Sequence, residues 1–91
     1  MNLWIRSQNK ELLMQVKYLH INAYAEKDKD VRIYSYGNDD FSYLLGTYKT
    51  KERALEILDE IQELLESVHI TDISKKEGIV GANIFYEMPK E

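Results

Sequence analysis

The side chains of this chain with the most binding chemistry alternate along two runs. Aromatic and polar residues take the even positions from Tyr18 to Tyr24 and again from Arg32 to Tyr36. The full set is Tyr18, His20, Asn22, Tyr24, Arg32, Tyr34 and Tyr36. Residues two apart share one face of a strand, so we expect this set, the tyrosine face, to lie on one side of a sheet. The opposite side is expected to carry Leu19, Ile21, Ala23, Val31 and Ile33.

The tyrosine face has three possible uses. A tyrosine offers a flat ring for stacking and a hydroxyl for hydrogen bonding. Arg32 can pair with a phosphate or carboxylate, and Asn22 can bind a base edge or an amide. These groups suit a nucleotide-like ligand or a protein interface. They also suit plain packing across strands, since tyrosine has a high strand propensity.

No motif in the sequence indicates catalysis. His20 and His69 are the two histidines, and no spacing of histidine with carboxylates predicts a metal site. The glycines Gly78 and Gly81 lack the lysine of a phosphate loop. We therefore expect no metal, no cofactor and no enzymatic activity. A small hydrolase remains an alternative, because carboxylates distant in sequence can meet in space.

The remaining patterns predict an α+β fold with an antiparallel sheet of four to five strands. Strands are expected over 3–7, 31–36 and 41–48, with a last strand over 79–88 that ends before Pro89. The run 12–25 is long for one strand, so a break is expected near 15–17. Gly46 is expected to mark a bulge or a close backbone approach.

One amphipathic helix is predicted over about 51–67. Thr50 is the expected N-cap, and Glu52 suits the first turn. Apolar residues then recur at spacings of three and four. Those expected to meet the sheet are Ala54, Leu58, Ile61 and Leu65, with Leu55, Ile57, Leu64 and Val68 along the same stripe. The outer face is acidic, which indicates a solvated surface more than a dock for a basic partner.

Composition indicates one small domain over residues 1–91. The chain has no cysteine, and its net charge of −4 equals the excess of acidic over basic residues in 51–66. No basic stripe is present, so binding to a nucleic acid backbone is not expected. No apolar run is long enough to span a bilayer. We therefore expect a cytoplasmic protein without a membrane partner. A chain this short gains stability from dimerisation, so self-association is expected.

Three stretches resemble small uncharacterised proteins encoded by phages and prophages of Gram-positive bacteria. They are 3–10 (LWIRSQNK), 45–61 (LGTYKTKERALEILDEI) and 86–89 (YEMP), and the similarity covers most of the helix and both ends of the chain. The resemblance implies a protein of the host bacterial cytoplasm that acts by binding. In its most specific form it would be a counter-defence factor that sequesters a nucleotide-like immune signal or blocks a host protein. The alternative is a structural or regulatory homo-oligomer that uses the tyrosine face as its subunit interface.

Overall fold

The fold is α+β, as the sequence predicts, with six strands and one helix in the part of the chain that is described. A computed structural model describes residues 2–22, 30–75 and 83–91, and within the helix it describes side chains as far as Ser67. In chain order the elements are β1 (Asn2–Arg6), β2 (Leu13–Gln15), β3 (Tyr18–Asn22), β4 (Val31–Tyr36), β5 (Ser42–Tyr48), α1 (Lys51–Lys75) and β6 (Asn83–Glu87).

The strands form two three-stranded sheets instead of one. Their orders are β2-β1-β6 and β3-β4-β5. Three of the four strand pairs are antiparallel, but β6 pairs with β1 in parallel, with Ile84 beside Leu3. The long run predicted from residue 12 breaks at Val16 and Lys17, within the expected range, and passes from the first sheet to the second there. Its last part, 23–25, lies outside the described residues.

Helix α1 begins where the sequence predicts and ends later. The Arg53 amide donates to Thr50 Oγ1 at 3.0 Å, which confirms Thr50 as the N-cap. The predicted end near Ser67 is wrong, since α1 continues to Lys75. The sequence has no Gly or Pro between Ser67 and Gly78, so nothing in that stretch forces the helix to stop.

One hydrophobic core joins the helix to both sheets. Its fully buried members include Ile5 from β1, Ile33 from β4, Leu45 from β5 and Ile57 from α1. Within the helix the buried stripe follows Ala54, Ile57 and Ile61. The predicted stripe was therefore slightly misplaced: Leu58 is only half-buried and Leu55 is 44% exposed. Leu65 packs against the core as expected.

The bulge predicted by Gly46 lies beside it, at Leu45. Ile33 pairs with Gly46 whereas Tyr34 pairs with Leu44, so Leu45 is the extra residue of β5. A Cβ on Gly46 would lie 2.8 Å from Cε2 and Oη of Tyr48, so the close approach is also real. Tyr48 is buried, and its hydroxyl donates to Pro89 O at 2.7 Å.

Candidate functional site: the tyrosine face

The register of β3 and β4 places the predicted residues in rows across one face. Tyr18 pairs with Tyr36, His20 with Tyr34, and Asn22 with Arg32. Directly opposed residues of an antiparallel pair point to the same side. The shared face therefore follows the predicted alternation for every member except Tyr24, which lies outside the described residues.

The His20 ring stacks on two tyrosine rings of the tyrosine face. The His20 ring lies 5.7 Å from the Tyr34 ring and 5.6 Å from the Tyr36 ring, with interplanar angles of 23°. Such offset stacking is the favourable arrangement of aromatic pairs. Tyr34 and Tyr36 are half-buried, whereas His20 is exposed and Tyr18 is 68% exposed. The stack thus holds its own shape and still presents ring surface to solvent.

The opposite side of β3 and β4 belongs to the core, which fixes the residues of both strands that face outward. Val31, Ile33 and Ser35 of β4 are buried, and Leu19 and Ile21 of β3 pack against the core. Even Ser35 is satisfied there, because its hydroxyl lies 3.1 Å from Met14 Sδ. A one-residue shift of either strand would bury the polar set and expose the apolar one. The outward orientation of the tyrosine face is therefore strongly specified.

Strand β5 extends the tyrosine face with residues that the sequence reasoning missed. Ser42 pairs with Tyr36, Leu44 with Tyr34, and Thr47 with Arg32. Leu44 is 47% exposed, next to the aromatic stack. Simple alternation would put Leu44 and Thr47 on opposite sides, and the bulge at Leu45 restores them to one side. The signal was present in Gly46, but its effect on the register requires knowing the partner strand.

A cavity of about 360 Å³ lies at one end of the tyrosine face and is called the turn cavity. It is lined by Tyr18, Tyr36, Gly37, Asp39 and Asp40. Asp39 organises the turn, since its Oδ2 accepts from the Tyr43 hydroxyl at 2.8 Å and its Oδ1 from the Phe41 amide at 3.4 Å. The hydrogen bond to Asp39 raises the pKa of Tyr43. Asp40 is exposed and makes no hydrogen bond or ion pair with another described residue.

The charges of this region lie at its two ends. Arg32 is exposed in the row farthest from the turn cavity, and Asp39 and Asp40 border the cavity itself. The rows between them carry His20, Tyr34, Tyr18 and Tyr36. The tyrosine face therefore has Arg32 at one end, aromatic rings in the middle and two carboxylates at the other end.

A second cavity, of about 430 Å³, lies at the start of α1, and some of the polar groups in and around it bind one another. Arg53 lines it and donates to Glu56 at 3.1 Å and to the Glu91 carbonyl at 3.0 Å. The hydrogen bond to Glu56 raises the pKa of Arg53, and burial raises the pKa of Tyr48 to about 12. Glu60 accepts from the Tyr86 hydroxyl at 2.6 Å, and burial together with Glu60 raises the pKa of Tyr86. These groups bind one another and stabilise the fold.

The outer face of the other sheet carries a smaller apolar group. Phe85 is 63% exposed and Leu13 44% exposed. The Trp4 ring stacks on the Phe85 ring with centroids 6.4 Å apart, and Trp4 Nε1 donates to Asn83 Oδ1 at 3.0 Å. Arg6 and Glu87 lie beside this group, and Phe85 provides a control residue on the other sheet for experiments.

The geometry of the described residues supports neither a metal site nor a dock on the acidic face of α1. Across residues 2–22, 30–67 and 83–91, no group of three or more His, Asp or Glu side chains could hold a metal ion. The acidic outer face of α1 is exposed, with Glu56 and Glu60 paired to Arg53 at 3.1 and 3.6 Å. Among the described helical residues, no segment is apolar enough over a sufficient length to cross a membrane.

Comparison with known proteins gives no match: no family model, no curated protein and no solved structure is similar to this chain. The resemblance to phage and prophage proteins therefore stays a prediction.

Proposed function

We propose that this chain is a non-enzymatic binding protein whose tyrosine face contacts a protein surface. One observation carries the proposal: a preformed stack of His20, Tyr34 and Tyr36 stands on the sheet face opposite the core, beside the exposed Tyr18 ring. Tyrosine and arginine are enriched among the residues that dominate the binding energy of protein interfaces, and tyrosine combines apolar area with a polar end at little cost in conformational entropy. A stack already formed in the free protein lowers the entropic cost of binding further.

The geometry favours a protein partner over a nucleotide-like ligand. Small-ligand sites enclose most of the ligand surface, which requires walls. The tyrosine face is a three-stranded surface whose concave part is the turn cavity at one end. A base stacked there on Tyr36 would bring its phosphate close to Asp39 and Asp40, while Arg32 lies two rows away. Like charges at short range oppose such a complex.

The resemblance to phage and prophage proteins gives this proposal a narrower form. A counter-defence factor that blocks a host protein would use a surface of this kind. Sequestration of a nucleotide-like immune signal is the second form, and the acidic end of the face weighs against it. The cytoplasm of the host bacterium is the expected location for either form.

A capture experiment with two matched aromatic variants tests the proposal. Tyr18 and Phe85 are 68% and 63% exposed and lie on different sheets. Wild type, Tyr18→Ala and Phe85→Ala are immobilised through the same tag and incubated with bacterial extract that contains untagged chain. We expect a protein captured by wild type and Phe85→Ala to be captured at least about fivefold less by Tyr18→Ala, as for a hot-spot residue. Equal capture by all three or loss with Phe85→Ala alone contradicts the proposal, and so does a wild type that shows neither capture nor self-association.

A further inference from the structure

The tyrosine face carries opposite charges at positions that a two-fold rotation would exchange. Arg32 and Tyr36 are four residues apart on β4, about 13 Å at the usual rise of a strand. The turn cavity, with Asp39 and Asp40, begins beyond Tyr36. The midpoint between Arg32 and the cavity falls near the stack of His20 on Tyr34 and Tyr36. A two-fold axis that runs parallel to the sheet and across β4, above that point, would place each charged end opposite the other end of a second copy that faces the first.

The turn cavity has the chemistry of a guanidinium site. Tyr18 and Tyr36 supply ring faces, and Asp40 supplies a carboxylate without a partner among the described residues. Arginine stacks on aromatic rings and pairs with carboxylates in the same pose, which lysine does less well. None of the five lining residues is cationic. A volume of about 360 Å³ has room for a guanidinium group and the end of its alkyl stem.

Arg32 is exposed enough to donate hydrogen bonds into the turn cavity of another molecule. Its side chain is exposed, and it makes no hydrogen bond or ion pair with another described residue. Its own cavity is out of its reach, at the far end of the face. Arg32 of a second molecule that faces the first can reach the turn cavity of the first molecule.

We propose that two copies of this chain associate through the tyrosine face, about a two-fold axis near His20, with Arg32 of each copy entering the turn cavity of the other. The inference rests on the proposed binding role and names a second copy as the partner. The interface is isologous, so each contact occurs twice. Asp40 is the main acceptor, because Asp39 already accepts from Phe41 and Tyr43.

The association is weak and sensitive to salt. Three rows on three strands cover an area well below the roughly 800 Å² per partner of a standard interface. The two junctions between Arg32 and Asp40 lie at the rim, where ionic strength screens the attraction. We therefore expect a dissociation constant in the micromolar range or weaker, which rises with added salt.

A charge-swap experiment tests the proposal by sedimentation velocity. Arg32→Glu and Asp40→Arg each replace both junctions by like charges, and each should raise the dissociation constant about tenfold or more. In an equimolar mixture, every junction of the mixed dimer pairs a cation with an anion again. The mixture should therefore dimerise close to the wild-type level. Lys51→Glu, an equal charge change on the exposed start of α1, should leave the association unchanged.

The outcomes separate this inference from the proposed function. A monomeric wild type at the highest attainable concentration overturns the second copy as partner, as does an undiminished dimer in both charge variants or a mixture that fails to recover. If a captured host protein is still lost with Tyr18→Ala, the tyrosine face remains a binding surface and only its partner changes. If Tyr18→Ala alters neither self-association nor capture, both proposals fail together.

Discussion

The His20 ring of β3 stacks on the Tyr36 ring of β4 with their centroids 5.6 Å apart, although Tyr34 and not Tyr36 is its direct cross-strand partner. This diagonal contact ties two rows of the tyrosine face into one aromatic surface. It requires that the polar positions of both strands face outward together.

Neighbouring residues of β4 should differ sharply in their contribution to stability. Ile33 is completely buried, so Ile33→Ala should lower the free energy of unfolding by about 2–5 kcal/mol. Tyr34 is only half-buried, on the outward side, and Tyr34→Ala should cost less than half as much. Urea denaturation measures both. A larger loss of unfolding free energy for Tyr34→Ala than for Ile33→Ala would mean that the tyrosine face is a core surface.

The bulge in β5 should tolerate no side chain at Gly46. A Cβ there would lie 2.8 Å from the Tyr48 ring, which is buried and anchored to Pro89. We expect Gly46→Ala to lower the free energy of unfolding by about 1–3 kcal/mol, the usual cost of overpacking. Gly37→Ala, whose Cβ would meet Gln15 O at 3.1 Å, is the control and should cost less. An equal or reversed order in thermal denaturation would contradict the packing of Tyr48.

Gln8 should act as a clamp between the two sheets. Its backbone amide donates to Leu45 O at 2.7 Å, its side-chain Oε1 accepts from Thr47 N at 2.9 Å, and its Nε2 donates to Lys90 O at 2.7 Å. Gln8→Ala leaves polar groups of β5 without partners and should cost about 1–3 kcal/mol. Asn9→Ala, in the same turn, is a contrasting variant that breaks only contacts local to the turn. Hydrogen exchange should accelerate at Thr47 in Gln8→Ala and stay slow there in Asn9→Ala.

Alkaline pH should destabilise the fold through Tyr48. Burial raises its pKa from 10.0 to about 12, so the folded state keeps a proton that the unfolded state releases. This contribution to stability is fully present below pH 10 and is lost as the pH rises toward 12. Tyr48→Phe should reduce the fall in unfolding free energy between these limits, while the exposed Tyr18→Phe should follow wild type. If the unfolding free energy of Tyr48→Phe falls with pH as steeply as that of wild type, Tyr48 is not the group responsible.

The sequence predicts local features of this chain better than long-range ones. The alternation of Tyr18, His20, Tyr34 and Tyr36, the cap at Thr50 and the bulge beside Gly46 are local consequences of residue type, and each agrees with the structure. The division into two sheets and the parallel pairing of β1 with β6 depend on contacts between residues more than 80 positions apart. Residue patterns carry no direct signal for such pairing.

The candidate site shows the same limit. The members on β3 and β4 are found from alternation alone, because each strand is regular. Leu44 and Thr47 require the position of the bulge, and the turn cavity requires knowing that the turn after Tyr36 folds toward Tyr18. Asp39 and Asp40 belong to the turn after β4, where Asp39 accepts from Phe41 and Tyr43. Their position at the end of the tyrosine face is a three-dimensional fact.

The central claim is that the tyrosine face is the binding surface of this protein. Amide chemical shifts of the ¹⁵N-labelled chain, followed as its concentration is raised, test this claim residue by residue. The shifts should change at Tyr18–Asn22, at Val31–Tyr36 and around Asp40, with little change near Phe85 or along the acidic face of α1. Changes that gather around Phe85, or spectra that do not depend on concentration and respond to no partner at the tyrosine face, would contradict it.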